Sequence, residues 1–105
     1  MEKRINRRVP IRAAVSLRTS DDQVVHGWAS DLSMSGVHVA TDEELPPGTK
    51  CEASITYRDG HDRHRIVVNA RVARNDTKGI GVEFLNSTKD ITDEITHLIV
   101  SYTPA

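Results

Sequence analysis

The sequence predicts an all-β domain, in which six short antiparallel strands close into a small barrel and a C-terminal α-helix follows. Two observations lead to this fold class: apolar and polar residues alternate in six short segments, and after Asn86 the apolar spacing becomes that of an amphipathic helix. Turn-forming residues separate the segments, which favours neighbouring strands joined by short connections. Closing such a sheet removes its exposed edges, and the helix then covers one opening. With 105 residues, we expect one domain over residues 1–105.

Three strands are predicted in the first half of the chain. Every second residue is apolar from Val9 to Leu17, which is typical of a half-buried strand. The segments "VVHGWAS", ending at Ser30, and "GVHVAT", beginning at Gly36, are the second and third strands. The stretch "DLSMSG" between them is therefore predicted to be a connection, and "ELPPGTK" a turn after the third strand.

Three further strands and the helix follow. Alternating apolar residues from Cys51 to Tyr57 precede Asp59-Gly60, a frequent tight-turn pair, so a hairpin should lead into "RIVVNARVAR". The turn "DTKG" then precedes "IGVEF", the sixth strand, and the barrel is predicted to span residues 9–85. The helix is predicted over residues 88–102, with either Ser87 or Thr88 as its N-cap.

The charge distribution limits the classes of partner. The formal net charge is −1, which argues against non-specific binding to nucleic acid or to anionic membranes over the whole surface. Positive charge is instead concentrated near the N-terminus, in "MEKRINRRVPIR". Residues 1–8 carry several like charges and little apolar surface, so we expect them to form a flexible basic arm.

Cysteine content and hydropathy suggest a compartment. The single cysteine, Cys51, has no partner for an internal disulfide, and the N-terminus lacks an apolar run of signal-peptide length. No segment has the roughly 20 apolar residues of a membrane span. We therefore expect a cytoplasmic protein that is not inserted in a membrane.

Two features carry recognition chemistry. Arg4 and Arg8 are four residues apart and offer guanidinium groups that suit either a phosphate or the O6 and N7 atoms of guanine. Asp31 offers a carboxylate that accepts two hydrogen bonds, as donated by the opposite edge of guanine. The Ser33 hydroxyl can add a bond to base or phosphate. Gly36 has no Cβ, so it can take a left-handed conformation and let a flat ligand approach the backbone.

These residues carry a resemblance to the PilZ domain family. The chain contains "KRINRR" followed by "VP", then "DLSMSG", "GIGVEF" and a terminal helix, and thus both halves of the family signature, RxxxR and [D/N]xSxxG. The resemblance implies a six-stranded barrel that binds cyclic di-GMP. It also implies that Arg4 and Arg8 hold phosphate and guanine, while Asp31, Ser33 and Gly36 recognise a guanine on the barrel surface.

Some details of the site stay open. Arg8 and Arg12 also satisfy the RxxxR spacing, but Val9-Pro10 follows Arg8 as in the family, so we prefer Arg4 and Arg8. Lys3 stands where many members have an arginine, which leaves binding of one ligand or a stacked pair open. The remaining candidate ligand contacts are Lys3, Arg7 and Arg74, the last of which precedes a turn and could reach a phosphate.

The predicted function is that of a receptor or adaptor. Binding of cyclic di-GMP would order the basic arm and create a surface for a protein partner. The alternative is a PilZ-like interaction module that does not bind nucleotide. A DNA- or RNA-binding barrel is disfavoured by the few aromatic residues. No catalytic residue, metal or cofactor is expected, because "HDRH" lacks further ligands and neither Ser33 nor Ser35 lies in a nucleophile motif.

Overall fold

A computed structural model describes residues 13–59 and 61–102 of the chain. The predicted basic arm and residues 9–12 of the predicted first strand lie outside these residues. The elements are β1 (Ala14–Thr19), β2 (Val24–Leu32), β3 (Gly36–Ala40), β4 (Lys50–Asp59), β5 (Asp62–Asp76), β6 (Gly79–Phe84) and α1 (Lys89–Tyr102). The predicted fold class, an antiparallel six-stranded barrel with a C-terminal helix, is confirmed.

The strands close in the order β1-β2-β3-β6-β5-β4. Strand β1 pairs with both β2 and β4, which completes the ring. Because β6 lies between β3 and β5, the "DLSMSG" region and the end of β5 come to neighbouring parts of the outer surface. Within the described residues, no helix is long and apolar enough to cross a membrane.

The core consists of the inward-facing side chains of the alternating segments. Leu17, Ile55 and Ile80 are among those that are fully buried. Helix α1 adds Ile95 and Leu98 to the same cluster, so the helix is packed on the barrel. Its N-cap is Thr88, whose Oγ1 accepts a hydrogen bond from the Ile91 amide at 3.2 Å.

The connection between the second and third strands is shorter than predicted. Strand β2 continues through Asp31 and Leu32, so only residues 33–35 connect it to β3. A register shift between Ala29 and Asp31 marks a β-bulge, which local alternation of residue types does not reveal. Past the bulge, Leu32 again points into the core and is fully buried. Asp31 is therefore a strand residue, and pairing with β3 fixes its position.

Candidate functional site

The turn between β2 and β3 is organised by Ser33. Its amide donates a hydrogen bond to the Gly36 carbonyl at 2.9 Å, and its Oγ accepts one from the Ser35 amide at 3.2 Å. Its Oγ also lies 3.1 Å from the Ser35 hydroxyl, and the residue as a whole is buried. The geometry thus assigns the Ser33 side chain to shaping this turn. The ligand contact expected of its hydroxyl stays a prediction.

Gly36 is required for a reason other than the one predicted. Its φ is not in the left-handed region, which among the described glycines is occupied by Gly48 and Gly79. A Cβ built on Gly36 would instead lie 2.1 Å from the carbonyl oxygen of Val82 on β6. The absence of a side chain therefore allows β3 and β6 to approach each other closely. Gly36 does not take the left-handed conformation open to a glycine, because it begins a paired strand rather than ending a free turn.

Arg74 reaches the same surface from β5. The register of β5 against β6 shifts between Val72 and Arg74, which marks a second bulge. The Arg74 side chain lies across Gly81, since a Cβ built there would be 3.3 Å from Arg74 Cζ. Its side chain is 53% exposed, and its Nε lies 4.0 Å from Oδ2 of Asp76. The missing side chain at Gly81 leaves room for a guanidinium to lie across β6.

Arg74 lines two neighbouring cavities. The first has a volume of about 200 Å³ and includes Ser33, Gly36 and Gly81 in its lining. The second, of about 450 Å³, is lined by Ser30, Asp31, His38, Ala40, Arg74, Asp76 and Lys78. The fold thus brings Asp31, Ser33, Gly36 and Arg74 together on one outer face. The other predicted contacts, Lys3, Arg4, Arg7 and Arg8, lie outside the described residues, as does Arg12.

The sequence reasoning missed His38. This residue lies on the outer face of β3, yet it is only 7% exposed. It is covered by Ser30, whose Oγ lies 2.5 Å from His38 Nδ1, and by Asp76, whose Oδ2 lies 3.1 Å from His38 Nε2. Asp76 is 38 residues away in sequence, and no local pattern indicates that pairing.

The electrostatics of this face are mixed. The pKa of Asp76 lies below its usual value because its carboxylate accepts a hydrogen bond from the Lys78 amide and another from His38. Asp76 therefore carries its negative charge at neutral pH. Within residues 13–59 and 61–102, no group of three or more His, Cys, Asp or Glu side chains is arranged to hold a metal ion. The face offers acceptors, donors and an exposed guanidinium, which suits a polar, planar or phosphorylated ligand.

The family model for the PilZ domain matches residues 2–101. The chain is a member of the PilZ domain family. The match spans the basic N-terminal segment, all six strands and nearly all of the helix. The resemblance drawn from "KRINRR" and "DLSMSG" is thereby confirmed at the level of the family.

Three solved structures share the fold of this chain at low sequence identity. The PilZ domain of CeSA from a cellulose-synthesizing bacterium is 20% identical, with a TM-score of 0.66, over 90% of this chain and 95% of that one. The PilZ domain of YcgR from Escherichia coli, solved with c-di-GMP, is 15% identical, with a TM-score of 0.72, over 96% and 92%. The Bacillus subtilis inhibitor of motility, MotI/DgrA, is 16% identical, with a TM-score of 0.76, over 95% of this chain and 50% of that protein.

A comparison with curated protein sequences gave no significant match. At 15–20% identity, the structural similarities establish the fold of this chain and not its ligand. Any function must therefore be argued from the site itself.

Proposed function

We propose that this PilZ domain is a non-enzymatic receptor for cyclic di-GMP. The observation that carries the proposal is the convergence of Asp31, Ser33, Gly36 and Arg74 around two adjoining cavities on one face of the barrel. The signature residues and a cation from a distant strand share a surface that a ligand could cover. The c-di-GMP bound in the YcgR structure supports the choice of ligand.

Asp31 is proposed to read the guanine base. Its carboxylate lines the larger cavity, and strand pairing opposite His38 holds its backbone in place. A carboxylate can accept hydrogen bonds from both N1–H and the exocyclic amine of guanine, whereas adenine has no such pair of donors on that edge. This arrangement favours guanine over adenine.

Arg74 is proposed to contact a phosphate or to stack on a base. Its guanidinium is half-exposed between the two cavities, and it is held on one side by Gly81 and on the other by Asp76. A planar guanidinium placed in this way can donate paired hydrogen bonds to phosphate oxygens or lie flat against a purine.

The direction of β1 relates the basic N-terminal segment to this site. Because β1 and β2 are antiparallel, the chain enters β1 from the side on which β2 ends, which is the side of Asp31. The Ala29 amide donates a hydrogen bond to the Ala13 carbonyl at 2.8 Å, so residue 13 is already close to this end of β2. Arg8 is five residues before Ala13, and five extended residues span about 17 Å. The segment is therefore long enough for Arg8 to reach Asp31 and the cavities, with Arg4 four residues beyond.

Signal transmission would follow from ordering of that segment. The dianionic ligand would neutralise the charges of Lys3, Arg4, Arg7 and Arg8 and draw residues 1–8 onto the barrel. A protein partner would then recognise the composite surface. Hydrogen exchange of residues 1–8 should slow when ligand is added, and exchange that is equally slow without ligand would contradict this mechanism.

Isothermal titration with cyclic di-GMP tests the binding proposal. We expect saturable binding by the wild-type protein and a loss of affinity of about 10-fold to 100-fold in Arg8→Ala and in Asp31→Asn, since each removes a charge-assisted contact. Arg63→Ala is the matched control, because Arg63 is an exposed arginine near the β4–β5 turn, far along β5 from Arg74. The molar ratio of the titration shows whether one ligand or two bind beside Lys3.

The opposite result would favour the alternative function. If the wild-type protein gives no binding heat with cyclic di-GMP, linear GMP or ATP, the receptor proposal fails and the interaction module without nucleotide is favoured. If Arg12→Ala abolishes binding and Arg4→Ala does not, the signature arginines are Arg8 and Arg12. Competition with cyclic di-AMP tests the assignment of Asp31, because equal affinity for both dinucleotides would refute guanine recognition by this carboxylate.

A further inference from the structure

The buried imidazole of His38 on β3 connects β2 to the end of β5 on the proposed ligand face. Its Nδ1 meets Ser30 at the bulge of β2, and its Nε2 lies 3.1 Å and 3.2 Å from the two carboxylate oxygens of Asp76 at the end of β5. Asp76 in turn accepts a hydrogen bond from the Lys78 amide at 2.8 Å. The Asp76 carboxylate is therefore held from two sides, and it faces Arg74 Nε at 4.0 Å.

This hydrogen-bond network accommodates His38 in both protonation states. When the imidazole is neutral, Nε2–H donates to Asp76 and Nδ1 accepts from the Ser30 hydroxyl. When it is protonated, Nδ1–H donates to Ser30 Oγ, and the Ser30 hydroxyl turns to the His38 carbonyl oxygen, 3.2 Å away. Uptake of a proton thus leaves no polar atom of this set without a partner, so His38 can change charge without disrupting its surroundings.

The charged groups that face His38 come from each neighbouring element. Strand β2 presents Asp31 directly opposite it in the sheet, β5 presents Arg74 and Asp76, and the β5–β6 turn presents Lys78. Strand β6 pairs His38 with Gly81, which has no side chain. Histidine is the side chain of this set whose charge ordinarily changes between about pH 5 and pH 8. His38 is therefore the group among these through which a change of pH would alter the charge beside the larger cavity.

We infer that His38 is a positioning residue for Arg74, acting through Asp76, and that its protonation strengthens the binding of a dianionic nucleotide at this face. The inference rests on the proposed function. Protonation adds a positive charge beside the cavity and pairs it with Asp76, the carboxylate that also lies 4.0 Å from Arg74 Nε. Neutralising this carboxylate weakens its attraction for the Arg74 guanidinium. One added positive charge acting on a dianion over roughly one Debye length is worth about a 3-fold to 10-fold change in affinity.

Titrations with cyclic di-GMP at about pH 6 and about pH 8 test this inference. The wild-type protein should bind about 3-fold to 10-fold more tightly at the lower pH. His38→Gln should retain binding but lose the pH dependence, because a glutamine amide can donate to Asp76 and accept from Ser30 without changing charge. His26→Gln is the matched control, because His26 is exposed on the outer face of β2 and lines neither of the two cavities. If His38→Gln keeps the wild-type pH dependence, or if wild-type affinity is the same at both pH values, the inference is overturned.

A second measurement needs no ligand. The Lys78 amide proton is bonded to Asp76, so its chemical shift, together with that of Arg74 Nε–H, reports on the charge pairing around this carboxylate. Both signals should move with pH in the wild-type protein, and this movement should be lost in His38→Gln, whose side chain does not change charge. Signals that do not move with pH in the wild-type protein would refute the positioning role. If the signals titrate but no nucleotide binds at either pH, the proposed function fails while the link from His38 to Arg74 through Asp76 stands.

Discussion

Gly36 and Gly81 provide a matched pair of substitutions that separates close strand packing from ligand contact. Both glycines lie in strands, both line the smaller cavity, and neither has a left-handed φ. They differ in what an added methyl group would meet. At Gly36 the obstacle is the Val82 carbonyl oxygen at 2.1 Å, and at Gly81 it is the end of the Arg74 side chain at 3.3 Å.

The expected stabilities follow from this difference. A methyl group on Gly36 must push β3 away from β6 by about 1 Å, and the closed barrel resists that movement because both strands are also paired on their other sides. Overpacking of this kind costs about 2–3 kcal/mol, which lowers Tm by about 10–20 °C in a domain of this size. At Gly81 the flexible arginine can move aside, so Gly81→Ala should remain within about 1 kcal/mol of wild type.

Thermal unfolding followed by circular dichroism measures both values in the same buffer. Gly36→Ala melting within a few degrees of wild type would refute the argument that close approach of β3 and β6 requires this glycine. A large loss of stability in Gly81→Ala would show that Arg74 cannot move aside as inferred. A stable Gly81→Ala variant with weakened cyclic di-GMP binding would support the proposed contact of Arg74.

Three further predictions concern the helix N-cap, the reactivity of the cysteine and the loss of stability at low pH. Thr88→Ala should lower the free energy of unfolding in urea by about 1 kcal/mol, because the Ile91 amide loses its acceptor. Ser87→Ala should change it little, and the reverse order of the two effects would identify Ser87 as the N-cap. Burial raises the pKa of the Cys51 thiol, so iodoacetamide should modify it much more slowly at about pH 8 in the native than in the urea-unfolded protein, and equal rates would contradict its burial. Because the pKa of Asp76 in the folded protein lies below its ordinary 3.8, its contribution to stability is complete above that value and is lost as the pH falls through the lower folded value. In Asp76→Asn, Tm should therefore fall less steeply below about pH 4 than in the wild-type protein. If Tm falls equally steeply in both proteins, ionisation of Asp76 does not contribute to the stability.

Much of the architecture follows from local patterns. Alternation of apolar and polar residues identified the six strands and their inward faces, including Val15, Ile55 and Val68, because a side-chain period of two is a property of each strand by itself. The change to helical spacing after Asn86 likewise located α1, which packs through Ile95 and Leu98. The cytoplasmic location, the absence of DNA or RNA binding and the contacts of Lys3, Arg4, Arg7 and Arg8 stay predictions.

Tertiary structure decided how the site is assembled. The strand order that sets β6 between β3 and β5 brings Arg74 to the face of Asp31 and buries His38 under Asp76. Neither contact has a signature in sequence, because each joins residues that are about 40 positions apart through pairing chosen by barrel closure. The same closure makes Gly36 necessary for the approach of a neighbouring strand. Local periodicity therefore determined which residues point inward, while the global pairing of strands determined which outward residues meet.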